Sequence, residues 1–550
     1  MHRVVGAFAF YGMLFPMGLD AVILSDTVLY GEVGNPRYMG PYIIASSLRD
    51  AGYSATVLDF FTRFKSHEAF FEYLGQMVSF DTKIIGISST FLAPFVATLE
   101  PRSHRSTGLD RYYSGELFLA DGESLAAWLR TLKQMLAVKA PNAKIVLGGV
   151  KSQFAVWRPE FYRDVDFIVL GAGDRAVVEV MKHIVDGTPL ATRELNGQKV
   201  VDNTLELSEK SCPEMTFIAE DCVGRGEALP LEVARGCVFN CKFCHYEKKQ
   251  SNKKPLDVLR RELIRNYDLF GTTAYTFCDD CFNDHPKKVE AYCELFMSLP
   301  FKIEWTAYAR VDVAVAFPHT LDLMIQSGAR GLYWGIESFD GDVARRAGKG
   351  TPPDKVKDFL IKFRDKYRGE CLSEGSFIIG LPGETRESLN QTLAWLIKED
   401  VFDLVTFGPL GLMPYSSNLD KVVFDYAAYS REPEKHGFKT VSFKPHFWEH
   451  EQMNSIEAGQ IASEMSREWR EFKKPGLLRT IWFYPHLQSL GFSREEIALI
   501  TKDFGNIESW TERVAKRFAD HVEDYHVRLL KAVTASSRGA SSFHRQSETA

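Results

Sequence analysis

The stretch that decides the fold is EVARGCVFNCKFCHY, residues 232–246. It holds three cysteines within eight residues, namely Cys237, Cys241 and Cys244. It begins inside Leu231–Ala234, an apolar run that predicts a buried strand. A loop of this size can gather three sulfur atoms around one metal centre. A structural zinc site needs a fourth ligand, for which His245 is the local candidate, whereas a three-cysteine [4Fe–4S] cluster leaves one iron open. His245 adjoins Cys244 and is awkwardly placed for that role.

Strands and helices alternate six times from this stretch onward. The predicted strands are Leu231–Ala234, Ala274–Phe277, Ile303–Ala307, Gly331–Ile336, Gly375–Ile379 and Leu404–Phe407. Helical stretches of about 10–15 residues separate them. Six repeats over residues 231–410 predict a partial (β/α)6 barrel, which is smaller than the usual eightfold barrel of about 250 residues.

An earlier alternation of strands and helices fills residues 1–200. The predicted strands are Ala21–Asp26, Ala55–Asp59, Lys83–Ser88, Lys144–Leu147 and Val165–Leu170. Apolar strands separated by helices predict a doubly wound parallel sheet that is covered on both faces. Such a sheet binds ligands at the carboxyl ends of its strands.

The remaining segments are predicted from their composition and periodicity. Residues 201–230 are interpreted as a linker, and residues 411–534 as a helical C-terminal domain. Residues 535–550 are small and polar, which is typical of a disordered tail. The predicted fold class is therefore α/β, with a doubly wound domain, a partial barrel and a helical C-terminal region.

The cysteine spacing after the first strand of a six-repeat barrel resembles that of the radical S-adenosylmethionine (SAM) enzymes. The resemblance implies that Cys237, Cys241 and Cys244 bind a [4Fe–4S] cluster whose open iron is chelated by SAM. Reductive cleavage of SAM then gives a 5′-deoxyadenosyl radical. The resemblance also implies that SAM contacts come from Phe243, Asp279, Asp280, Arg310, Glu337, Ser338 and Gly380.

Residues 1–200 resemble the cobalamin-binding domain that precedes many radical SAM barrels. The implied contacts lie at strand ends: Ser88, Ser89, Thr90, Gly148, Gly149, Gly171 and Gly173. The chain departs from the best-known cobalamin signature, because it contains no Asp-x-His-x-x-Gly and hence no evident lower axial histidine. The resemblance implies cobalamin-dependent methylation of an unactivated carbon.

Two alternatives stay open at this point. One is a radical rearrangement, cyclisation or oxidation without bound cobalamin. The other is a zinc-binding structural or nucleic-acid-binding module. Charge argues against the second, since 66 Lys and Arg against 72 Asp and Glu give a net charge of −6 rather than a globally basic chain.

Composition also bears on compartment and partners. Nine cysteines in 550 residues are too few for a disulfide scaffold and predict a reducing compartment, the cytoplasm. The apolar residues 4–24 are interrupted by glycines, Pro16 and Asp20, so no membrane span is expected. The family resemblance implies a small-molecule or peptide substrate and an electron donor such as flavodoxin or ferredoxin.

Overall fold

The computed structural model describes two parallel sheets joined by a C-terminal helical region. The described residues are 18–26, 29–30, 33–34, 37–64, 66–89, 122–149, 152, 155–156, 158–195, 197–203, 212–244, 251–412, 427–443, 446–478 and 480–547. Within these ranges, no helix is both long and apolar enough to cross a membrane.

The N-terminal domain is a seven-stranded sheet. The strands of the sheet are β1 (Ala21–Leu24), β4 (Ala55–Leu58), β5 (Ile84–Ser88), β6 (Lys144–Gly148), β7 (Phe167–Gly171), β8 (Arg193–Leu195) and β9 (Gln198–Asn203). Two further short strands, β2 (Leu29–Tyr30) and β3 (Val33–Gly34), pair with each other in a separate hairpin. The order across the sheet is β4-β1-β5-β6-β7-β9-β8, and only β8 runs antiparallel. The strand order reverses at β1 and β5, which is where doubly wound sheets bind ligands.

Helices cover both faces of this sheet, as predicted. They are α1 (Met39–Asp50), α2 (His67–Met77), α3 (Gly122–Lys139) and α4 (Gly173–Asp186). Alternation along each strand sends side chains to opposite faces. Thus Ile23 of β1 packs into the apolar core that includes α1 and α4, while Val22 packs into the core that includes α2 and α3.

The second sheet confirms the partial barrel. Its six parallel strands follow chain order and are β10 (Leu229–Leu231), β13 (Ala274–Phe277), β14 (Glu304–Ala309), β15 (Ala329–Glu337), β16 (Leu372–Ile379) and β17 (Leu404–Pro409), while the short strands β11 (Ala234–Arg235) and β12 (Asn252–Lys253) pair outside the sheet. Its helices are α5 (Leu256–Phe270), α6 (Pro286–Met297), α7 (Val311–Ala316), α8 (His319–Gln326), α9 (Gly341–Ala347), α10 (Pro353–Tyr367) and α11 (Arg386–Glu399).

The helices of the barrel lie against one face of its sheet. Trp305 of β14 and Trp334 of β15 are fully buried and point toward these helices. The Trp334 ring lies 5.6 Å from the Phe359 ring and 5.5 Å from the Phe363 ring of α10. The alternate residues of the same strands, such as Tyr308 and Tyr333, therefore face the inside of the barrel.

The C-terminal region corrects two predictions. It contains the helices α12 (Ala428–Arg431), α13 (Ser455–Lys473), α14 (Phe483–Ser489), α15 (Arg494–Lys502) and α16 (Ile507–Ser547), and also an antiparallel hairpin of β18 (Phe438–Phe443) and β19 (His446–His450). The prediction of helices alone missed this hairpin. The disordered tail predicted from residue 535 is instead a continuation of α16 as far as Ser547.

One buried charged cluster joins the N-terminal domain, the predicted linker and α16. Arg37, whose side chain has no exposed surface, donates to Glu227 over 2.7 Å and pairs with Asp59 over 3.2 Å. The Tyr525 ring of α16 lies 4.9 Å from the Arg37 guanidinium, and the Tyr525 hydroxyl accepts a hydrogen bond from the Asp59 backbone over 2.8 Å. The predicted linker is thus part of a packed interface.

Candidate active site

The three cysteines lie in the loop that β11 and β12 enclose. This loop rests on the end of α9, where the Lys242 backbone N–H donates to the Ala347 carbonyl over 2.9 Å. A Cβ atom on Gly348 would lie 3.0 Å from the Cα of Cys241, and Gly348 has φ +96°. Glycine satisfies both constraints, because it has no Cβ and adopts positive φ without strain. The loop is therefore fixed against the connection that follows β15.

Cys241 is buried beside a guanidinium. The Nη1 atom of Arg310 donates to the Cys241 sulfur over 2.9 Å. The Nε and Nη2 atoms of Arg310 pair with both carboxylate oxygens of Asp312, over 2.9 and 2.6 Å. Arg310, which the family resemblance implies as a SAM contact, thus makes a bidentate pair with Asp312. The guanidinium therefore places a positive charge beside the Cys241 sulfur.

Cys237 has a different neighbour. A hydrogen bond from the Cys281 side chain lowers the pKa of Cys237, while the same pairing raises the pKa of Cys281 well above its ordinary value. Of the two sulfurs, Cys237 is therefore the one that loses its proton more readily. Cys281 belongs to the CDDC stretch that follows β13, so this strand end reaches the cysteine loop.

The sulfurs are not assembled into a ready metal site. In the ranges that the structure covers, no three His, Cys, Asp or Glu side chains are arranged to hold a metal ion. Cys244 is half-buried, and its backbone N–H donates to the Cys241 carbonyl over 3.4 Å. The loop nevertheless supplies the right donor chemistry for iron–sulfur ligation, because it carries three cysteine sulfurs and a neighbour lowers the pKa of Cys237.

The two aspartates after β13 have separate roles. Asp279 is buried, accepts a hydrogen bond from the Val233 backbone over 2.7 Å and pairs with buried Lys288 over 3.2 Å. Asp280 is half-buried and accepts a hydrogen bond from the Gly236 backbone. Burial, helped by the nearby charge of Asp279, raises the pKa of Asp280 to about 7. Of the two predicted contacts, Asp280 is the one beside the cysteine loop.

Lys349, which the sequence analysis missed, connects two predicted contacts. Its ammonium lies 3.2 Å from Glu337, donates to the Gly335 carbonyl over 2.8 Å and lies 5.9 Å from the centre of the Phe243 ring. Glu337 has φ +71°, a strained conformation at a register shift of β15. The lysine holds the Glu337 carboxylate at this irregular strand end.

Glu384 connects two further predicted contacts. Its carboxylate accepts from the Ser338 hydroxyl over 3.1 Å and from the Gly380 backbone over 2.8 Å. Burial raises the pKa of Glu384 to about 7. The ends of β15 and β16 are thus joined through one buried carboxyl group. The sequence contained this residue in the stretch after the fifth strand, but its partners became visible only in the fold.

Gly380 is covered by the hairpin of β18 and β19. A Cβ atom on Gly380 would lie 2.4 Å from the Trp448 ring, and the Gly380 carbonyl lies 3.1 Å from Nε2 of His450. The Gln452 backbone donates to Nδ1 of His450, so Nε2 carries the hydrogen that Gly380 accepts. Because Gly380 has no Cβ, the Trp448 ring can lie close to its backbone. His450 is the last residue of the strand β19.

The predicted cobalamin contacts lie at the carboxyl edge of the N-terminal sheet. Ser88 is half-buried and Ser89 is buried. The Ser89 hydroxyl has no hydrogen-bond partner among the described residues. Gly148 has open space where a Cβ would point, whereas Gly173 packs against Ile44. Gly149 and Gly171 have positive φ, and Thr90 lies outside the described residues. An unpartnered hydroxyl beside open space fits a ligand at this edge.

The comparison with protein families identifies the barrel. Residues 231–396 match the model of the radical SAM superfamily. These residues are a radical SAM domain. The match includes all three cysteines of the loop and ends within α11, so it covers four of the six barrel strands whole and the last residue of β10.

Curated relatives extend beyond the radical SAM domain. The anaerobic magnesium-protoporphyrin IX monomethyl ester cyclase of Cereibacter sphaeroides is 25% identical over 411 residues, which cover 68% of this chain and 61% of the relative. An uncharacterized methyltransferase of Pyrococcus horikoshii is 27% identical over 281 residues, 47% of this chain and 59% of the relative. The chain spans about three-fifths of the length of these relatives.

Two solved structures share the fold of most of this chain. TsrM of Kitasatospora setae, a radical SAM methyltransferase solved with cobalamin and a [4Fe–4S] cluster, has TM-score 0.52 at 15% identity over 77% of this chain and 79% of that one. OxsB, solved with aqua-cobalamin and SAM, has TM-score 0.50 at 13% identity over 96% of this chain and 80% of that one. The likeness supports the predicted fold of an N-terminal cobalamin-type sheet followed by a partial barrel.

Proposed function

We propose that the chain is a radical SAM enzyme whose [4Fe–4S] cluster is held by Cys237, Cys241 and Cys244. The observation that carries this is the cysteine loop, in which Arg310 donates to the Cys241 sulfur and Cys281 lowers the pKa of Cys237. Thiolates, not thiols, bind iron. When bound, a cluster of this family supplies the electron that cleaves SAM to methionine and a 5′-deoxyadenosyl radical.

For SAM, the chain offers polar groups around the same loop. Asp280 and Glu337 are the carboxylates suited to an ammonium group. Lys349 fixes Glu337, and Glu384 orients the Ser338 hydroxyl. Phe243 offers an aromatic face beside them. Asp279 is assigned a structural role, since Lys288 and the Val233 backbone occupy its carboxylate.

The N-terminal sheet is proposed to bind cobalamin at the carboxyl edge that holds Ser89 and Gly148. The argument rests on the unpartnered Ser89 hydroxyl, the open space at Gly148 and the switch in strand order beside them. The cofactor supplies a methyl group for transfer to an unactivated carbon of the substrate. TsrM and OxsB, which share the fold, were solved with cobalamin bound.

A second candidate is a radical cyclisation or oxidation. It is favoured by the name of the Cereibacter sphaeroides relative, a cyclase that matches 68% of this chain. In that case the N-terminal sheet need not carry a methyl group.

The proposal also covers partners and compartment. The substrate is a small molecule or peptide, the electron donor is a flavodoxin or ferredoxin, and the compartment is the cytoplasm.

A cobalamin titration tests which candidate holds. Anaerobic, cluster-reconstituted protein is mixed with hydroxocobalamin, desalted and assayed for corrin. We expect about one corrin per chain for the wild type and for Gly350→Leu, whose added side chain also enters open space. Gly148→Leu, which fills the proposed site, is expected to retain little. Equal retention by both variants would contradict this site. No retention by wild-type protein with an intact cluster would place cyclisation first.

A further inference from the structure

The inner face of the barrel sheet carries a set of side chains that the proposed cofactor sites do not use. Tyr308 of β14 is 39% exposed and is paired in register with Tyr333 of β15. Thr406 of β17 is exposed and is paired in register with half-buried Ser376 of β16. These residues alternate with the buried ones that face the helices. The inner face is therefore accessible at Tyr308 and Thr406.

Three aromatic rings form a wall on this face. The rings of Tyr308 and Tyr333 are 4.9 Å apart, centre to centre. Trp482, from the segment that precedes α14, lies 4.5 Å from Tyr308 and 6.0 Å from Tyr333. The planes of Trp482 and Tyr333 differ by 24°. Aromatic rings prefer partners at such spacings, so this wall suits another ring.

Beside the wall, a buried carboxylate fixes the direction of one hydroxyl. Glu374 is 1% exposed and accepts hydrogen bonds from Thr406 Oγ1 over 2.8 Å, Thr480 Oγ1 over 2.7 Å and the Ile481 backbone over 2.9 Å. A hydroxyl has one hydrogen and two lone pairs. When Glu374 is ionised, the Thr406 hydrogen points to it, so the Thr406 oxygen is an acceptor toward the inner face, where the Tyr333 hydroxyl also lies within hydrogen-bond reach of it.

We propose that this inner face is the substrate subsite, and that the substrate carries a planar aromatic or heteroaromatic ring with an O–H or N–H donor. The ring stacks on the wall of Tyr308, Tyr333 and Trp482, and the donor reaches Thr406. The inference rests on the proposed function. Tyr308 lies on the same face of its chain segment as Arg310, two residues later, whose guanidinium contacts Cys241. The subsite thus lies next to the cysteine loop.

Three probes separate the ring from the donor. 2-Naphthol has both, 2-methoxynaphthalene lacks the donor, and decahydro-2-naphthol lacks the aromatic face. Retention of each is measured at pH 8.5, above the pKa of about 7 of Glu374, by equilibrium dialysis with cluster-reconstituted full-length protein in the presence of SAM. We expect 2-naphthol to bind about five- to tenfold more tightly than either of the others, the worth of one hydrogen bond or one aromatic contact. Equal retention of all three would overturn the inference.

Two variants test the named side chains. Trp482→Leu is expected to weaken 2-naphthol binding several-fold, whereas Trp395→Leu, on the outer helical layer, leaves it unchanged. In Glu374→Gln the amide oxygen must face the Ile481 N–H, so the amide N–H donates to Thr406 and turns its hydrogen toward the site. The preference for 2-naphthol over its methyl ether is then lost. An unchanged preference, or equal effects of both tryptophan variants, would overturn the assignment.

The failure of this inference can be told apart from failure of the proposed function. Formation of 5′-deoxyadenosine without any probe reports the radical chemistry alone. Intact cleavage with no ring preference overturns only the substrate class. Ring binding that survives when the wild type forms no 5′-deoxyadenosine removes the proposed function instead. Displacement of 2-naphthol by hydroxocobalamin would mean that the wall serves the corrin and would also overturn the inference.

Discussion

Arg235 of the barrel domain donates from Nη1 to Oδ2 of Asp174 in the N-terminal domain over 2.9 Å. Asp174 lies in the first turn of α4, directly after the glycines predicted to contact cobalamin. Arg235 lies two residues before the first cysteine and is also held by Glu232 over 2.8 Å. One ion pair therefore connects the edge proposed for cobalamin to the loop proposed for the cluster.

This ion pair is expected to couple the two domains energetically. Both side chains are mostly buried, so we expect a coupling energy of about 1–2 kcal/mol between Asp174→Ala and Arg235→Ala in a double-mutant cycle. The exposed pair Arg386–Glu464, at the same 2.9 Å, serves as control and is expected to give below about 0.5 kcal/mol. Urea unfolding of the wild type, the two single variants and the double variant of each pair measures each value. Equal couplings would contradict an interdomain role.

Removing the buried Arg37 should destabilise the chain strongly. Arg37→Met leaves Glu227 and Asp59 buried without their cation, which costs about 3–5 kcal/mol of unfolding free energy. Arg386→Met, at the surface, is expected to change it by less than about 0.5 kcal/mol. Chemical denaturation of both variants measures the two losses of unfolding free energy. A loss for Arg37→Met no larger than the loss for Arg386→Met would contradict the proposed importance of the buried cluster.

Glu374 should make stability depend on pH. Burial raises its pKa from 4.5 to about 7 in the folded chain. The unfolded chain therefore releases this proton at lower pH than the folded one. The stabilisation is fully present below pH 4.5 and is lost as the pH rises to 7, by about 3 kcal/mol at 1.36 kcal/mol per pKa unit.

Comparison with Glu374→Gln isolates this contribution. The difference in unfolding free energy between pH 5 and pH 7.5 is measured for both proteins. The wild type is expected to lose more stability than Glu374→Gln over that interval. Identical pH dependence of the two proteins would show that Glu374 titrates near its ordinary pKa.

A methyl group at Gly380 should be poorly tolerated. Alanine there meets both the Trp448 ring and a φ of +97°, so we expect a loss of about 2–4 kcal/mol in unfolding free energy. Gly459→Ala, inside α13 with open space at the Cβ position, is expected to stabilise the chain by up to about 1 kcal/mol. Thermal unfolding of both variants checks the opposite signs, and a Gly380→Ala variant as stable as the wild type would contradict the packing of the hairpin.

Local patterns predicted the two sheets because their strands are apolar runs between helices, as at Ile84–Ser88 and Ala274–Phe277. The sequence could not show which of Asp279 and Asp280 lies beside the cysteine loop, since the direction of each side chain is set by the fold. It missed Lys349, whose partners Glu337 and Phe243 are distant in sequence. It also missed the hairpin of β18 and β19, because its pairing across Trp448 depends on contact with Gly380 rather than on local periodicity.

The most direct test of the central claim is 5′-deoxyadenosine formation from SAM by anaerobic, chemically reduced and cluster-reconstituted protein. The wild type and Cys293→Ala, which removes a buried thiol from α6, are expected to bind iron and form 5′-deoxyadenosine. Cys241→Ala is expected to form none, because it removes the sulfur that Arg310 contacts and one of the three proposed ligands. Undiminished 5′-deoxyadenosine formation by Cys241→Ala would contradict the assignment of this loop to the cluster.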